Sequence, residues 1–374
     1  MRNFFTLTVL FAMFMGSCQP TEKKHSNTSR KDTLVILQNE QMAVSFSLWG
    51  GAITDFHLKE SGVNPFTWKI TREEMQMDNA DGVPFQGHFL CFGRWGSPEK
   101  GEAAAGIPNN GEPAENWWEL VSRDEISLEM RFNAPVEKMN VGRQVRISEN
   151  EALVVVTEKY TNPNDFGRIF NVVQHPTAGR PFLSEASLVS TNATLGFMQS
   201  LAVHGLERYQ YKWPDGYADS LLAPVDLTRS DQEMGFVTTH IIDDEYGWVT
   251  LSDPDHDLLL GYVWKSSEYP WLHIWHGMKE GRLWAKGLEF GTTGIGDTFP
   301  PEKRFAMDFH GRRNFEFYDA RETKAKSYIF FMVSLPGDFS GIESVFVYPD
   351  RISVIPAGET AKTDLGLEGI NPWK

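Results

Sequence analysis

Apolar and polar residues alternate along this chain in short runs, and no long segment repeats its apolar positions at a helical spacing. Residues 33–37 and 41–48 are rich in Val, Ile and Phe. In the second run Val44, Phe46 and Leu48 interleave with Ala43, Ser45 and Ser47, the period of a half-buried strand. Gly50-Gly51 permits a turn into a third run at 52–58. Residues 141–147 and 152–160 flank a polar turn, as do 248–251 and 258–265, and 305–310, 326–334 and 344–348 continue the pattern. Long loops rich in Gly, Pro, Asn and Asp interrupt the runs, chiefly at 93–116 and 212–232, and loops of that length in a compact β-fold carry function. The pattern predicts an all-β chain, one large antiparallel β-sandwich over residues 33–374.

The first residues read differently. Arg2 precedes an apolar stretch at 4–15, then Gly16, Ser17 and Cys18. That stretch is too short to span a bilayer, which takes roughly 20 residues, and it has the layout of a secretory signal. Met15-Gly16-Ser17-Cys18 resembles a bacterial lipobox, which implies a signal peptide at 1–17 and a lipid on Cys18. Residues 18–32, with Lys23, Lys24, Arg30 and Lys31, read as a polar flexible tether. The expected location is the bacterial cell envelope, on its periplasmic or outer-membrane face, with membrane contact only through the N-terminal lipid.

With 50 acidic against 35 basic side chains the formal charge is −15, which argues against nucleic acid as a partner. Two cysteines, Cys18 and Cys91, exclude a disulfide scaffold and a cysteine-based zinc site. Phosphate-loop, zincin and Gly-x-Ser-x-Gly motifs are absent. His273 and His276 are three apart in a strand-like run, so they face opposite sides and do not suit one metal ion. Three segments place polar groups where a strand meets a Gly/Pro-rich loop: Gly93-Arg94-Trp95-Gly96 with Asn109-Asn110-Gly111, then Gln174-His175-Pro176, then Leu288-Glu289-Phe290-Gly291.

On these segments the chain resembles the aldose 1-epimerases of the galactose mutarotase-like superfamily, over about residues 33–370. The resemblance implies a β-supersandwich with a sugar site in its concave face. It puts His175 in the place of the general acid, Glu289 in that of the general base, and Arg94 in that of a substrate-contacting arginine. The family's early His-Gly reads Asn110-Gly111 here, and Asn can donate to a sugar oxygen but cannot carry a proton. Asp215 is the candidate for a sugar-binding aspartate. Trp95, Trp117, Trp213 and Trp275 lie beside the motif loops and are candidates for stacking on sugar faces.

Opening and closing a sugar ring needs a base at the anomeric hydroxyl and an acid at the ring oxygen, and no metal or cofactor. The expected pair is His175 and Glu289, with tips roughly 5–8 Å apart across one ring. Burial would raise the pKa of the glutamate, and a nearby carboxylate that of the histidine. The function expected is anomer interconversion on a mono- or oligosaccharide. The alternatives are sugar binding without turnover, and lyase or hydrolase chemistry on a polysaccharide.

Overall fold

The computed structural model describes residues 34–70, 74, 85–217, 223–296, 308–335, 339–358 and 362–374. The expected signal peptide at 1–17, Cys18, the expected tether and residues 305–307 lie outside the described residues.

Among those residues two antiparallel sheets face each other. Across the ten-stranded sheet the order is Leu34–Gln38, Met42–Ser47, Ile53–Leu58, His88–Phe92, Val172–Ala178, Arg282–Gly291, Trp271–Lys279, Phe236–Ile241, Leu195–Met198 and Tyr211–Lys212. The eight-stranded sheet runs Val189–Thr191, Tyr246–Asp253, Leu258–Lys265, Thr323–Ser334, Leu153–Thr161, Met139–Ile147, Ser127–Ala134 and Glu119–Arg123. The predicted β-sandwich is therefore present, with strand boundaries within a few residues of those read from the pattern.

The main core lies between the sheets. Leu90, Phe92, Val172, Leu272, Ile274, Leu288 and Phe290 from one sheet meet Val154, Val156, Leu260, Tyr262, Tyr328 and Phe330 from the other. A second apolar layer covers the far face of the eight-stranded sheet. There Leu153, Val155, Leu259, Ile329 and Phe331 pack on Ile352, Val354 and Leu365 of a small three-stranded sheet. Strand Thr323–Ser334 is thus covered on both faces, which is why its apolar run is continuous rather than alternating. Strand Met42–Ser47 departs from expectation in the same way. All six positions are buried, Ser45 and Ser47 included, so its alternation separates two covered faces rather than a core face from solvent.

One polar network crosses the core. Arg143 Nε donates to Glu158 Oε1 at 2.6 Å, and Arg143 Nη1 to the Gly51 carbonyl. Gln174 Nε2 and the Tyr160 hydroxyl donate to Glu158 Oε2. Gln174 Oε1 lies 3.1 Å from His88 Nε2, and the Tyr262 hydroxyl lies 3.1 Å from His88 Nδ1. Every one of these side chains is buried. Removing one partner of a buried ion pair strands a charge in low dielectric. Arg143→Met is therefore expected to cost about 3–5 kcal/mol of stability, read from urea unfolding, and Arg143→Met with Glu158→Leu to recover much of that loss.

Candidate active site

The pleat decides which side chains reach the outer face of the ten-stranded sheet. In strand His88–Phe92, His88, Leu90 and Phe92 point into the sandwich, so Phe89 and Cys91 point out. The same alternation turns Gln174 in and His175 out, Leu288 and Phe290 in and Glu289 out, Leu272 and Ile274 in and His273 out. Register aligns the outward set into a row. Phe89 is paired with His175, Glu289 with His273, and His273 with Thr239. Strand Val172–Ala178 pairs with Arg282–Gly291 at Val173, Gln174, Thr177 and Ala178, and the recorded pairing skips His175-Pro176. Pro176 has no N–H to give the ladder. His175 and Glu289 meet at that gap.

Their contact is direct: His175 Nε2 lies 3.2 Å from Glu289 Oε1. The expected separation across a sugar ring is thereby corrected. The two strands are sheet neighbours, and neighbouring strands lie less than about 5 Å apart, so outward side chains at matching positions touch. Trp95 Nε1 donates to Glu289 Oε2 at 2.7 Å, and Thr177 Oγ1 lies 2.9 Å from His175 Nδ1. The Phe89 ring stacks on the imidazole with centroids 4.3 Å apart. Gly287 is required on this face, because a Cβ there would come 2.7 Å from Glu289 Oε1 and 3.0 Å from Trp275 Cβ.

Burial sets the protonation of both groups. It pushes the Glu289 carboxyl up to about 8, opposed by the Trp95 hydrogen bond, which favours the carboxylate. It pushes the His175 imidazole down to about 3, against a smaller upward effect of a backbone hydrogen bond. The expected rise of the histidine is corrected, since desolvation dominates and Glu289 beside it is itself mostly protonated. At neutral pH the pair is mostly a neutral carboxylic acid beside a neutral imidazole.

The pair lines a cavity of about 490 Å³, within the range of small-ligand sites. Trp95, Gly96, Asn110, Gln199, Ser200 and Gly296 line it on one side, and Trp68, Phe85, Phe89, Trp275 and Trp284 supply aromatic wall. The 93–116 loop thus reaches the cavity as expected. Asn110 sits there with a left-handed backbone (φ 58°), a conformation Asn tolerates well. Its Oδ1 accepts from Gly96 N at 2.6 Å and from the Cys91 thiol at 3.3 Å. Its oxygen is therefore held by the loop that carries Trp95.

Several expected residues lie elsewhere. Arg94 does not line the cavity. Its buried guanidinium donates through Nε to the Ser97 carbonyl at 2.6 Å and lies 3.3 Å from Glu102, bracing the short helix Lys100–Ala104. The 212–232 loop contributes none of its described residues to the lining. Trp213 packs edge-on against His240, and Asp215 is exposed in a two-stranded ribbon, paired with Asp226. Trp117 packs edge-on against Trp49, away from the cavity. His273 and His276 do face opposite sides. His273 lies under the Trp95 ring with Nδ1 2.8 Å from Thr239 Oγ1, whereas His276 faces Gln232 O and Lys286 Nζ. No cluster of His, Cys, Asp and Glu suited to a metal occurs among the described residues.

Trp68, Phe85, Phe89, Trp284, Gln199 and Thr177 were not legible as site residues. Phe89 and Thr177 do share the period-two alternation with His175 in their strands, a signal that assigns them its face once the partner strands are known.

No family model matches the sequence, and no curated protein does. Solved structures do match in shape. A galactose mutarotase related enzyme from Lactobacillus acidophilus superposes at TM-score 0.57 and 12% identity, over 80% of this chain and 97% of that one. The fold is the galactose mutarotase-like sandwich. A galactose mutarotase-like protein from Lactobacillus casei gives TM-score 0.56 at 13% identity over 80% and 100% of the two chains. A candidate aldose 1-epimerase from Escherichia coli K12 gives 0.55 at 13% over 81% and 99%. At such identity the likeness is one of fold.

The Trp95 hydrogen bond holds the Glu289 pKa down. In Trp95→Phe the apparent pKa of Glu289 is expected to rise above about 8, followed by carboxyl carbon-13 NMR titration. An unmoved titration would show that the indole N–H is not felt at the carboxyl.

Proposed function

We propose that this protein interconverts the anomers of a sugar, with His175 and Glu289 as its acid–base pair. The observation that carries the reading is their 3.2 Å contact on the floor of the cavity. The anomeric oxygen and the ring oxygen are bonded to the same carbon. Each group needs to reach only one of these oxygens, so an acid and a base standing side by side on the cavity floor can serve both.

With both groups neutral at rest, the His175 imidazole takes the proton of the anomeric hydroxyl. Glu289 gives its proton to the ring oxygen as the bond from C1 to that oxygen breaks. The open aldehyde rotates about its C1–C2 bond, and the same two transfers in reverse close the ring on the other face. Burial reverses the roles that the family resemblance implies for the resting state. The assignment with carboxylate and imidazolium carries the same number of protons, so the pair titrates as a unit. No covalent intermediate is needed. Trp95 orients the carboxyl by holding Oε2, which leaves Oε1 for the proton.

We place this activity in the bacterial cell envelope, on a chain anchored by lipid at Cys18. Cys18→Ser is expected to abolish incorporation of a labelled fatty acid and to move the protein from the membrane to the soluble fraction. Retention of label would remove the anchor from the account.

Anomer exchange followed by NMR over hexoses, pentoses and uronic acids tests the reaction. His175→Ala and Glu289→Ala are each expected to lose about 10²–10⁴ of the acceleration. The rate should fall as pH rises through about 8, where Glu289 loses its proton, while the limb set by His175 lies near pH 3. Binding without faster exchange would instead support a sugar-binding protein. Asn110 in place of a histidine is the feature that favours that second reading.

A further inference from the structure

The cavity lining mixes polar groups, Asn110, Gln199 and Ser200, with aromatic rings. Three tryptophans stand in mutual edge-to-face contact: Trp68 to Trp275 at 5.6 Å, Trp68 to Trp284 at 5.4 Å, and Trp275 to Trp284 at 5.9 Å between centroids, and Trp275 also stands edge-on to the His175 ring at 6.0 Å. Such packing holds the rings in place before any ligand arrives. Trp275 and Trp284 are only half-buried, so part of each indole remains open on the concave face.

The wall extends well past the acid–base pair. Trp284 reaches toward the pair through Trp275: its ring lies 5.9 Å from that of Trp275, which lies 6.0 Å from that of His175. A β-bulge at Gly277/Met278 re-aims the paired strands between them. Lys279, whose ammonium lies over the Trp284 ring at 5.3 Å and pairs with Glu74, closes the far end. One pyranose seated against His175 and Glu289 leaves Trp284 uncovered.

We propose that Trp68, Trp275 and Trp284 form a second sugar subsite, and that the ligand is the reducing end of a di- or longer oligosaccharide. Its terminal ring sits at His175 and Glu289, and the next ring lays its C–H face on the tryptophan wall. This rests on the acid–base reading of the pair given above.

The test compares NMR anomer exchange of a hexose with that of its α-1,4- and β-1,4-linked homodisaccharides. For the unaltered protein kcat/KM is expected to be about tenfold or more higher for one disaccharide than for the monosaccharide. In Trp284→Ala that ratio falls to near one, and in Trp284→Phe, which keeps an aromatic face, much of it returns. A ratio near one in the unaltered protein, or one unchanged in Trp284→Ala, overturns the subsite. If no sugar is exchanged faster, the acid–base reading fails, and tryptophan fluorescence with the same sugars decides the subsite separately. Tighter disaccharide binding that Trp284→Ala abolishes supports it. Equal affinity for mono- and disaccharide, or no binding, overturns it.

Discussion

The register of strand Val172–Ala178 is the constraint on which the site depends. Gln174 is tied inside the sandwich to Glu158 and His88, and Glu158 is tied to Arg143. Polar groups buried this deeply are satisfied in one alignment only, because a shift would leave several of them unpaired. Side chains alternate, so fixing Gln174 inward fixes His175 outward. A slip of one residue would place His175 in the core and Gln174 in the cavity. The same holds on the adjoining strand, where Leu288 and Phe290 in the core commit Glu289 to the cavity. The network lies inside the sandwich, yet it positions His175 on the outer face.

How far the sequence discloses this follows from what alternation can and cannot carry. Period-two patterns mark the strands and the fold class, and they mark His175 and Glu289 as polar residues near Gly or Pro, although His175 proves to lie in the middle of strand Val172–Ala178 rather than at its end. They are silent about which strands become neighbours. The direct contact of the pair, and the arrival of Phe89 and Trp68 from distant segments, are products of the fold. Loops present a harder case. The 93–116 and 212–232 segments have similar composition, but only the first folds over the concave face. Within it, Arg94 and Trp95 are adjacent and diverge: the arginine turns back to Ser97 and Glu102, and the tryptophan reaches Glu289. Neighbouring positions on a loop carry no fixed phase, so nothing in the pattern separates them.

Aromatic lining and acid–base chemistry are also linked. A carboxyl in water would be ionised at neutral pH and could not act as an acid there. The rings that enclose Glu289 and His175 remove solvent from both, which raises the carboxyl and lowers the imidazole. The tryptophans thus have two consequences at once, a surface suited to sugar C–H faces and a dielectric that keeps the pair neutral. Trp95 joins the two, covering His273 with its ring and donating its N–H to Glu289.

The exchange of a histidine for Asn110 weighs on this arrangement less than composition suggests. A proton carrier at that position matters if the acid and base are distant and a third group must bridge them. Here they touch, and the two oxygens to be served share one carbon. Asn110 Oδ1 instead accepts from the Gly96 N–H, next to Trp95, whose indole in turn holds Glu289. Through that chain Asn110 reaches the reacting groups as a brace for the loop, a role in which an amide oxygen is an adequate acceptor and a titrating side chain would bring no advantage.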